Sequence, residues 1–403
     1  MRGLSVVATS ACNLSCSYCY RRCAAPRSLA WPDLRRTLDW ALDPPGGGLE
    51  VMFTGGEPLL APALLHQGVL YLRRRAAAGT PATLRVLSNG ILLDEEWLAF
   101  LSGHDVHLNL SCDGVAAAQE QRGRGTWRRL DDLLAAAAAR YPRWFETRLQ
   151  VTATVSRANL PHLADSVDYL FGKGVAAIGL SPALTAAPGG DGDPRPLLAA
   201  QLERIGAQAL RHYERTGRVP LLALRKHSID SEPPAARRGA CGALDATHPT
   251  LDVDGRLTSC LMFVPSGLDR RDPRLAAIAR DLDLGRVGEA GLEERRRTFA
   301  ASVASRELFG SGLDLHSSGG RCRDCPAAAV CRICPISLLS CGPEAAPRRV
   351  PALLCAFTRL VVELRRDFPV LPDPDPPRVT AAEIRALAAA ARGSAASGPR
   401  TER

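Results

Sequence analysis

The sequence predicts an α/β fold built on a parallel sheet, with a smaller cysteine-rich domain after it. Up to about residue 225, apolar runs of strand length alternate with amphipathic stretches of helical length, six times over. Strict alternation of this kind implies parallel strands joined by right-handed crossovers. Turn chemistry collects at the C-terminal ends of the runs, in "TGGEP", "SNG" and "SCDG", which is the edge where barrel-like α/β folds build their sites. Near residue 230 the alternation breaks at "SIDSEPPAARRGACG", and the cysteines then become dense. With 46% hydrophobic residues among 403, the chain can bury a large core.

The expected strands are Leu4–Thr9, Leu49–Phe53, Thr83–Ser88, Val106–Ser111, Leu149–Val155 and Ala176–Leu180, each a short apolar run. The stretches between them carry apolar residues at helical spacing: Leu29–Leu42, Ala61–Ala78, Asp94–Leu101, Thr126–Arg140, Leu160–Gly172 and Leu197–Thr216. "APGGDGDPRP" (187–196) reads as a mobile loop, and "TLDVDGRLTSC" as a hairpin with an Asp-Gly turn. From about 370 the chain is Pro-rich, then Ala-rich, then small and polar, which predicts one short helix and a disordered end. The expected domains are 1–230, 231–368 and the 369–403 tail. No internal repeat is visible.

Composition excludes several classes. The net charge of +9 comes from 51 Lys and Arg, of which only Lys173 and Lys226 are lysines, against 42 acids. These charges are scattered through Ala-rich helices, aromatics are 5%, and no basic stripe with interleaved aromatics exists, so nucleic acid is not an expected partner. No apolar stretch approaches the roughly 18 residues that span a bilayer, and "MRGLSVVATSACN" lacks the features of a secretory signal. The expectation is a cytoplasmic protein with reduced thiols and no membrane partner.

Thirteen cysteines therefore need an explanation. Disulfide frameworks belong to small secreted domains without an adequate core. Cys12, Cys16 and Cys19 form C-x3-C-x2-C directly after the first strand. Zinc usually takes four ligands as two separated pairs, and no paired partner lies nearby. Three close thiols suit a [4Fe–4S] cube, which normally takes four cysteines, so three leave one iron open.

Here the chain resembles the radical S-adenosylmethionine (SAM) superfamily. The family pattern C-x3-C-x-aromatic-C reads "CNLSCSYC" with Tyr18 as the aromatic, and the family's Gly-Gly-Glu-Pro reads Gly55, Gly56, Glu57, Pro58 after the second strand. The resemblance implies a partial (β/α)6 TIM-like barrel. It also implies that the open iron chelates SAM, whose reductive cleavage yields a 5′-deoxyadenosyl radical that takes hydrogen from an unactivated C–H bond. By the same resemblance, the GGEP segment meets the methionyl amine. Asn89, Ser111 and Asp113 match positions that hold ribose or carboxylate, and Ile178-Gly179-Leu180 matches the adenine segment. For Asn89, Ser111 and Asp113 the alternative is plain turn chemistry, and for Ile178 it is buried strand filler. Cys23 and Cys112 have no counterpart in the motif, and Cys112 reads as a small buried residue.

The later cysteines resemble the SPASM extension of peptide-modifying radical enzymes, with a zinc ribbon as the bland competitor. Cys241-x13-Gly255-x4-Cys260 fits one half, and Cys322-x2-Cys325-x5-Cys331 fits the other. By the family's interleaved ligation, Cys322, Cys325, Cys331 and Cys355 hold an outer [4Fe–4S] cluster, while Cys241, Cys260 and Cys334 hold an inner one. Cys341 either completes the inner cluster or leaves it an open iron. The family usually continues C-x3-C where this chain has "CRIC", C-x2-C, to Cys334.

The implied activity is modification of a residue in a peptide or protein: cross-link, epimerisation or oxidation in a ribosomal peptide. A flavodoxin- or ferredoxin-type protein is the implied electron donor. Because the core begins at residue 4, leader recognition is expected from a separate protein. The rivals are a sulfatase maturase forming formylglycine, a radical dehydrogenase of a small metabolite, and a non-catalytic iron–sulfur carrier.

Overall fold

The computed structural model describes residues 2–21, 26–43, 48–77, 79–184, 192–225, 248–269, 272–299, 325–327, 331 and 350–368. Cys23, Cys241, Cys322, Cys334 and Cys341 lie outside them, as do the boundary near residue 230, positions 185–191 and the tail beyond 368.

The six expected strands form: β1 (Arg2–Thr9), β2 (Leu49–Gly55), β3 (Ala82–Ser88), β4 (His107–Ser111), β5 (Leu149–Val155) and β6 (Ile178–Pro182). All neighbours among them pair in parallel, in the order β6-β5-β4-β3-β2-β1. Strands added always on the same side by right-handed crossovers place every connecting helix on one face of the sheet. The opposite face is left as the concave side of a partial barrel. Burial follows from this. In β5, Leu149, Val151, Ala153 and Val155 are buried, while Gln150, Thr152 and Thr154 between them are half-buried.

The helices are α1 (Trp31–Ala41), α2 (Pro62–Ala77), α3 (Glu95–Gly103), α4 (Ala116–Gln119), α5 (Thr126–Arg140), α6 (Pro142–Arg148), α7 (Leu163–Gly172) and α8 (Arg195–Thr216). α3 starts where Asp94 accepts from the Trp97 amide at 2.9 Å, with Glu95 and Glu96 in its positive first turn. α8 ends at Gly217, whose φ of +70° is the left-handed cap that glycine adopts without strain. Leu160–Gly172 divides into a 3₁₀ turn, Leu160–His162, with Pro161 in its first turn where a proline is tolerated, and α7. The loop expected over 187–196 ends at Pro194, since Arg195 and Pro196 open α8.

Three short strands extend the sheet beyond β1: β7 (Thr250–Leu251), β8 (Leu257–Thr258) and β9 (Asp283–Gly285). β7 and β8 form the expected Asp-Gly hairpin, with Gly255 at φ +83°. β7 also pairs in parallel with β1, so the hairpin continues the main sheet. A helix over Ala352–Asp367, unmarked in the sequence, lays Leu353, Leu354, Ala356 and Phe357 into buried positions and packs on α8. Among the described residues no helix is long and apolar enough to cross a membrane.

Candidate functional site

β1 ends at Thr9, and the cysteine loop leaves it at the C-terminal edge of the sheet. The loop is stitched to the neighbouring strand end. The Gly56 amide donates to Thr9 O at 2.9 Å and the Glu57 amide to Ala11 O at 2.7 Å. A Cβ on Gly55 would come within 2.2 Å of Thr9 O, and one on Gly56 within 2.1 Å of Ala11 O; Gly55 also sits at φ +149°. The two glycines are thus required by the close approach of the cysteine loop's own backbone.

Glu57 is fully buried, and its carboxylate ties strand ends together. Oε1 accepts from the Leu59 amide at 3.2 Å and Ser88 Oγ at 2.8 Å, and Oε2 accepts from the Asn89 amide at 2.7 Å. Oε2 therefore keeps a second lone pair. Burial raises the pKa of this carboxyl, against the pull of its three donors. Asn89 continues the chain of contacts: its Nδ2 donates to Asn13 Oδ1 at 2.8 Å and lies 3.9 Å from Cys12 Sγ. Glu57, Asn89 and Asn13 thereby form one hydrogen-bonded unit beside Cys12.

Tyr18 and Asp113, distant in sequence, meet on the other side of the loop. Tyr18 Oη donates to Asp113 Oδ2 at 2.5 Å. Arg122, which sequence reasoning did not single out, donates to Asp113 Oδ1 from Nε at 3.1 Å and from Nη2 at 3.0 Å. The Thr154 amide adds a bond to Oδ1 at 2.9 Å. The guanidinium also lies 5.5 Å from the Tyr18 ring centroid. Ser17 is held to the same segment, its amide donating to Gln121 O at 2.9 Å and its hydroxyl to Gln121 Oε1 at 2.6 Å. No spacing rule announces a buried arginine nine residues beyond an aspartate.

The concave face carries the remaining groups. Half-buried Glu50, Arg85, His107, Asn109, Ser111, Gln150 and Thr152 all lie on it. Thr152 Oγ1 donates to Asn109 Oδ1 at 2.8 Å, and Arg85 pairs with Glu50 at 3.4 Å. Burial, helped by Arg85 and Arg148, pushes His107 down to about 4. Ser111 ends β4 on this face, whereas Ile178 points the other way and is fully buried in the main core. Its neighbours Gly179 and Leu180 are half-buried.

Cys12 and Cys19 are exposed, Cys16 is half-buried, and all three are free thiols. Burial raises Cys12; burial, then the charges of Cys19 and Cys12, pushes Cys16 up to about 11 against the pull of Arg122. In the chain alone Cys12 and Cys16 resist ionising, and a multivalent cation is what would stabilise such thiols as thiolates. Among the described residues no three His, Cys, Asp or Glu side chains are gathered as a finished metal cage. The fit to an iron–sulfur cluster rests on the donor chemistry: three soft, unpaired, accessible thiols on one anchored loop.

Of the later cysteines, Cys260 is buried just after β8, Cys325 and Cys331 are half-buried, and Cys355 is exposed on the Ala352–Asp367 helix. The Tyr20 phenol lies within electrostatic reach of both Cys19 and Cys260. Cys112 is fully buried, as expected of a small filler, and burial pushes its thiol up to about 11.

Residues 6–156 match the Radical SAM superfamily. The serine-type anaerobic sulfatase-maturating enzyme of Klebsiella aerogenes is 32% identical over 128 residues, 29% of this chain and 32% of that protein. The S-adenosylmethionine-dependent nucleotide dehydratase of Thermoplasmatales archaeon (strain ISO4-H5) is 30% identical over 142 residues, 35% of this chain and 49% of that protein. The matches thus span about a third to a half of these two relatives. In fold, the chain superposes on anSMEcpe with bound AdoMet at a TM-score of 0.67 and 17% identity, covering 90% of this chain and 96% of that one. Streptococcus suis SuiB bound to the precursor peptide SuiA superposes at 0.54 and 12% identity, covering 87% and 75%.

Proposed function

We propose that this chain, whose residues 6–156 match the Radical SAM superfamily, is an enzyme that removes hydrogen from one residue of a peptide or protein and so modifies it. The observation that carries the reading is the junction at the sheet edge, where the Cys12–Cys16–Cys19 loop is hydrogen-bonded to the Gly56–Glu57 turn and, through Asn13, to Asn89. When bound, a [4Fe–4S] cluster and SAM supply the radical chemistry that activates an inert C–H bond. The chain's own residues do the positioning. Cys12, Cys16 and Cys19 would hold the cluster through three of its irons. Tyr18, Asp113, Arg122 and Gln121 anchor one side of their loop, and Glu57 with Asn89 anchors the other. The free lone pair on Glu57 Oε2 suits the methionyl ammonium of SAM. The polar, half-buried concave face offers hydrogen bonds to an extended substrate.

The peptide class is supported by the fold neighbours: anSMEcpe has been solved with the Kp18Cys peptide and SuiB with SuiA. A sulfatase-maturase reading has equal support, from the sulfatase-maturating relatives of Klebsiella aerogenes and Clostridium perfringens. The auxiliary clusters, a flavodoxin- or ferredoxin-type donor and a separate leader-recognition protein belong to the same proposal.

The test is anaerobic reconstitution followed by SAM cleavage with a strong reductant. The wild-type chain should form 5′-deoxyadenosine, and the Cys12→Ala/Cys16→Ala/Cys19→Ala variant should form none. Persistent cleavage in that variant would show the cluster assignment to be wrong. Parallel incubations with a sulfatase-derived peptide and a ribosomal precursor peptide separate the two substrate readings by the mass change each acquires.

A further inference from the structure

Arg21 follows Cys19 by two residues, and its three guanidinium nitrogens are all inaccessible to solvent and, the neutral Tyr20 hydroxyl beside them aside, meet no acceptor. Other largely buried arginines are supplied with acceptors. Arg122 has Asp113, and Arg73 donates to the carbonyls of Ala82, His104 and Asp105. Arg225 donates to the carbonyls of Val219 and Ala176. Among the described residues Arg21 alone has all three guanidinium nitrogens buried with no carboxylate or carbonyl acceptor. An arginine does not shed its proton, so the cost of burying it is met only by an acceptor.

The place of this guanidinium is informative. A Cβ on Gly267 would come within 3.0 Å of Arg21 Cζ and 3.1 Å of Nη2, so the group is lodged between the cysteine loop and the Pro265–Gly267 turn. Tyr20 beside it lies within electrostatic reach of Cys19 and Cys260. The cation thus stands between the Cys12–Cys19 loop and the turn that follows Cys260.

We propose that Arg21 is the seat for a carboxylate of the substrate: an acidic side chain, or the chain terminus, adjoining the residue modified. The planar fork of donors matches a carboxylate with two parallel bonds, and a positive charge here repels a basic peptide. The inference rests on the peptide reading above and adds a selection rule to it: the modified residue has an acidic neighbour.

The experiment uses the full-length, anaerobically reconstituted chain and two probes, N-acetyl-glutamate α-amide and its neutral counterpart N-acetyl-glutamine α-amide. The thermal unfolding midpoint is followed against probe concentration. The acidic probe should raise the wild-type midpoint saturably, and the neutral probe should not. Arg21→Gln should raise the half-saturating concentration by about tenfold or more, the scale of a lost charged hydrogen bond. Arg21→Lys, with charge but no fork, should fall between. Equal response to both probes, or equal response of wild type and Arg21→Gln, would overturn the proposal. So would an altered cluster electron-paramagnetic-resonance signal in Arg21→Gln with unchanged probe binding, because the arginine would then face the cluster. Iron content and SAM cleavage in the wild type are measured alongside. If both are intact while probe selectivity is missing, the Arg21 seat fails alone; if both are absent, the catalytic reading fails.

Discussion

Asp113 was expected to hold a part of SAM, and the structure commits both of its carboxylate oxygens to Tyr18, Arg122 and Thr154. The pair with Arg122 is buried, so removing one partner strands the other charge. Asp113→Ala should cost about 3–5 kcal/mol in denaturant unfolding and loosen the loop that Tyr18 anchors. A variant of unchanged stability that had lost only SAM affinity would return Asp113 to the role of ligand contact. His107 makes a second residue-scale prediction. Its folded pKa of about 4 lies below the unfolded value, so from about 6.5 down to about 4 the unfolded chain binds more protons. Stability should therefore fall on acidification through that window, and His107→Gln should flatten this part of the profile of unfolding midpoint against pH. The cysteines, GGEP and Asn89 were legible because their chemistry is local in sequence. Arg122 and Arg21 were not, since a buried ion pair and a buried unpaired cation look like any surface arginine until the chain folds.

The strands were legible as short apolar runs: β5 runs over the expected Leu149–Val155 with alternating burial, while β1 is buried from Gly3 to Thr9. Elements too short to show a period were missed. α4 has four residues, and β9 three. The hairpin was visible through its Asp-Gly turn, but its two-residue strands gave no sign of joining β1. The Ala352–Asp367 helix was hidden because it carries no start signal: Pro351 at its N-cap offers no side-chain cap bond, and no acid lies in its first turn. The turn after β2 carries the prediction at this scale. Gly56→Ala would place a methyl 2.1 Å from Ala11 O, so either β2 or the cysteine loop must shift. The expected outcome is a loss of about 1–3 kcal/mol in unfolding stability, with reduced iron at the Cys12–Cys16–Cys19 site. Full iron loading with unchanged stability would show that the contact is easily relaxed.

For the whole molecule, the strand order places all crossover helices on one face and leaves a polar concave face opposite. The cysteine loop and the ends of β2, β3 and β4 share the C-terminal edge of that face. If the later cysteines hold two auxiliary clusters, the reconstituted chain should bind about twelve irons, three cubes of four. Iron near four with stoichiometric zinc would leave the radical domain alone and make the second field a zinc site. Within that field, Cys341→Ala and Cys355→Ala should disturb different cluster signals. A damaging Cys341→Ala beside a silent Cys355→Ala would require the ligands to be reassigned.

The sequence by itself determined the alternation of strands and helices, the three-thiol motif and the GGEP turn, because periodicity and short motifs need only near neighbours along the chain. Only the tertiary structure decided what those motifs touch. It turned Gly55 and Gly56 toward the backbone of the cysteine loop, spent most of Glu57 on Ser88, Asn89 and Leu59, and closed Asp113 onto Tyr18 and Arg122. Those partners lie between two and 95 residues apart. Hydrogen bonding and charge pairing depend on distance in space, which the sheet sets when it brings its strand ends to one edge.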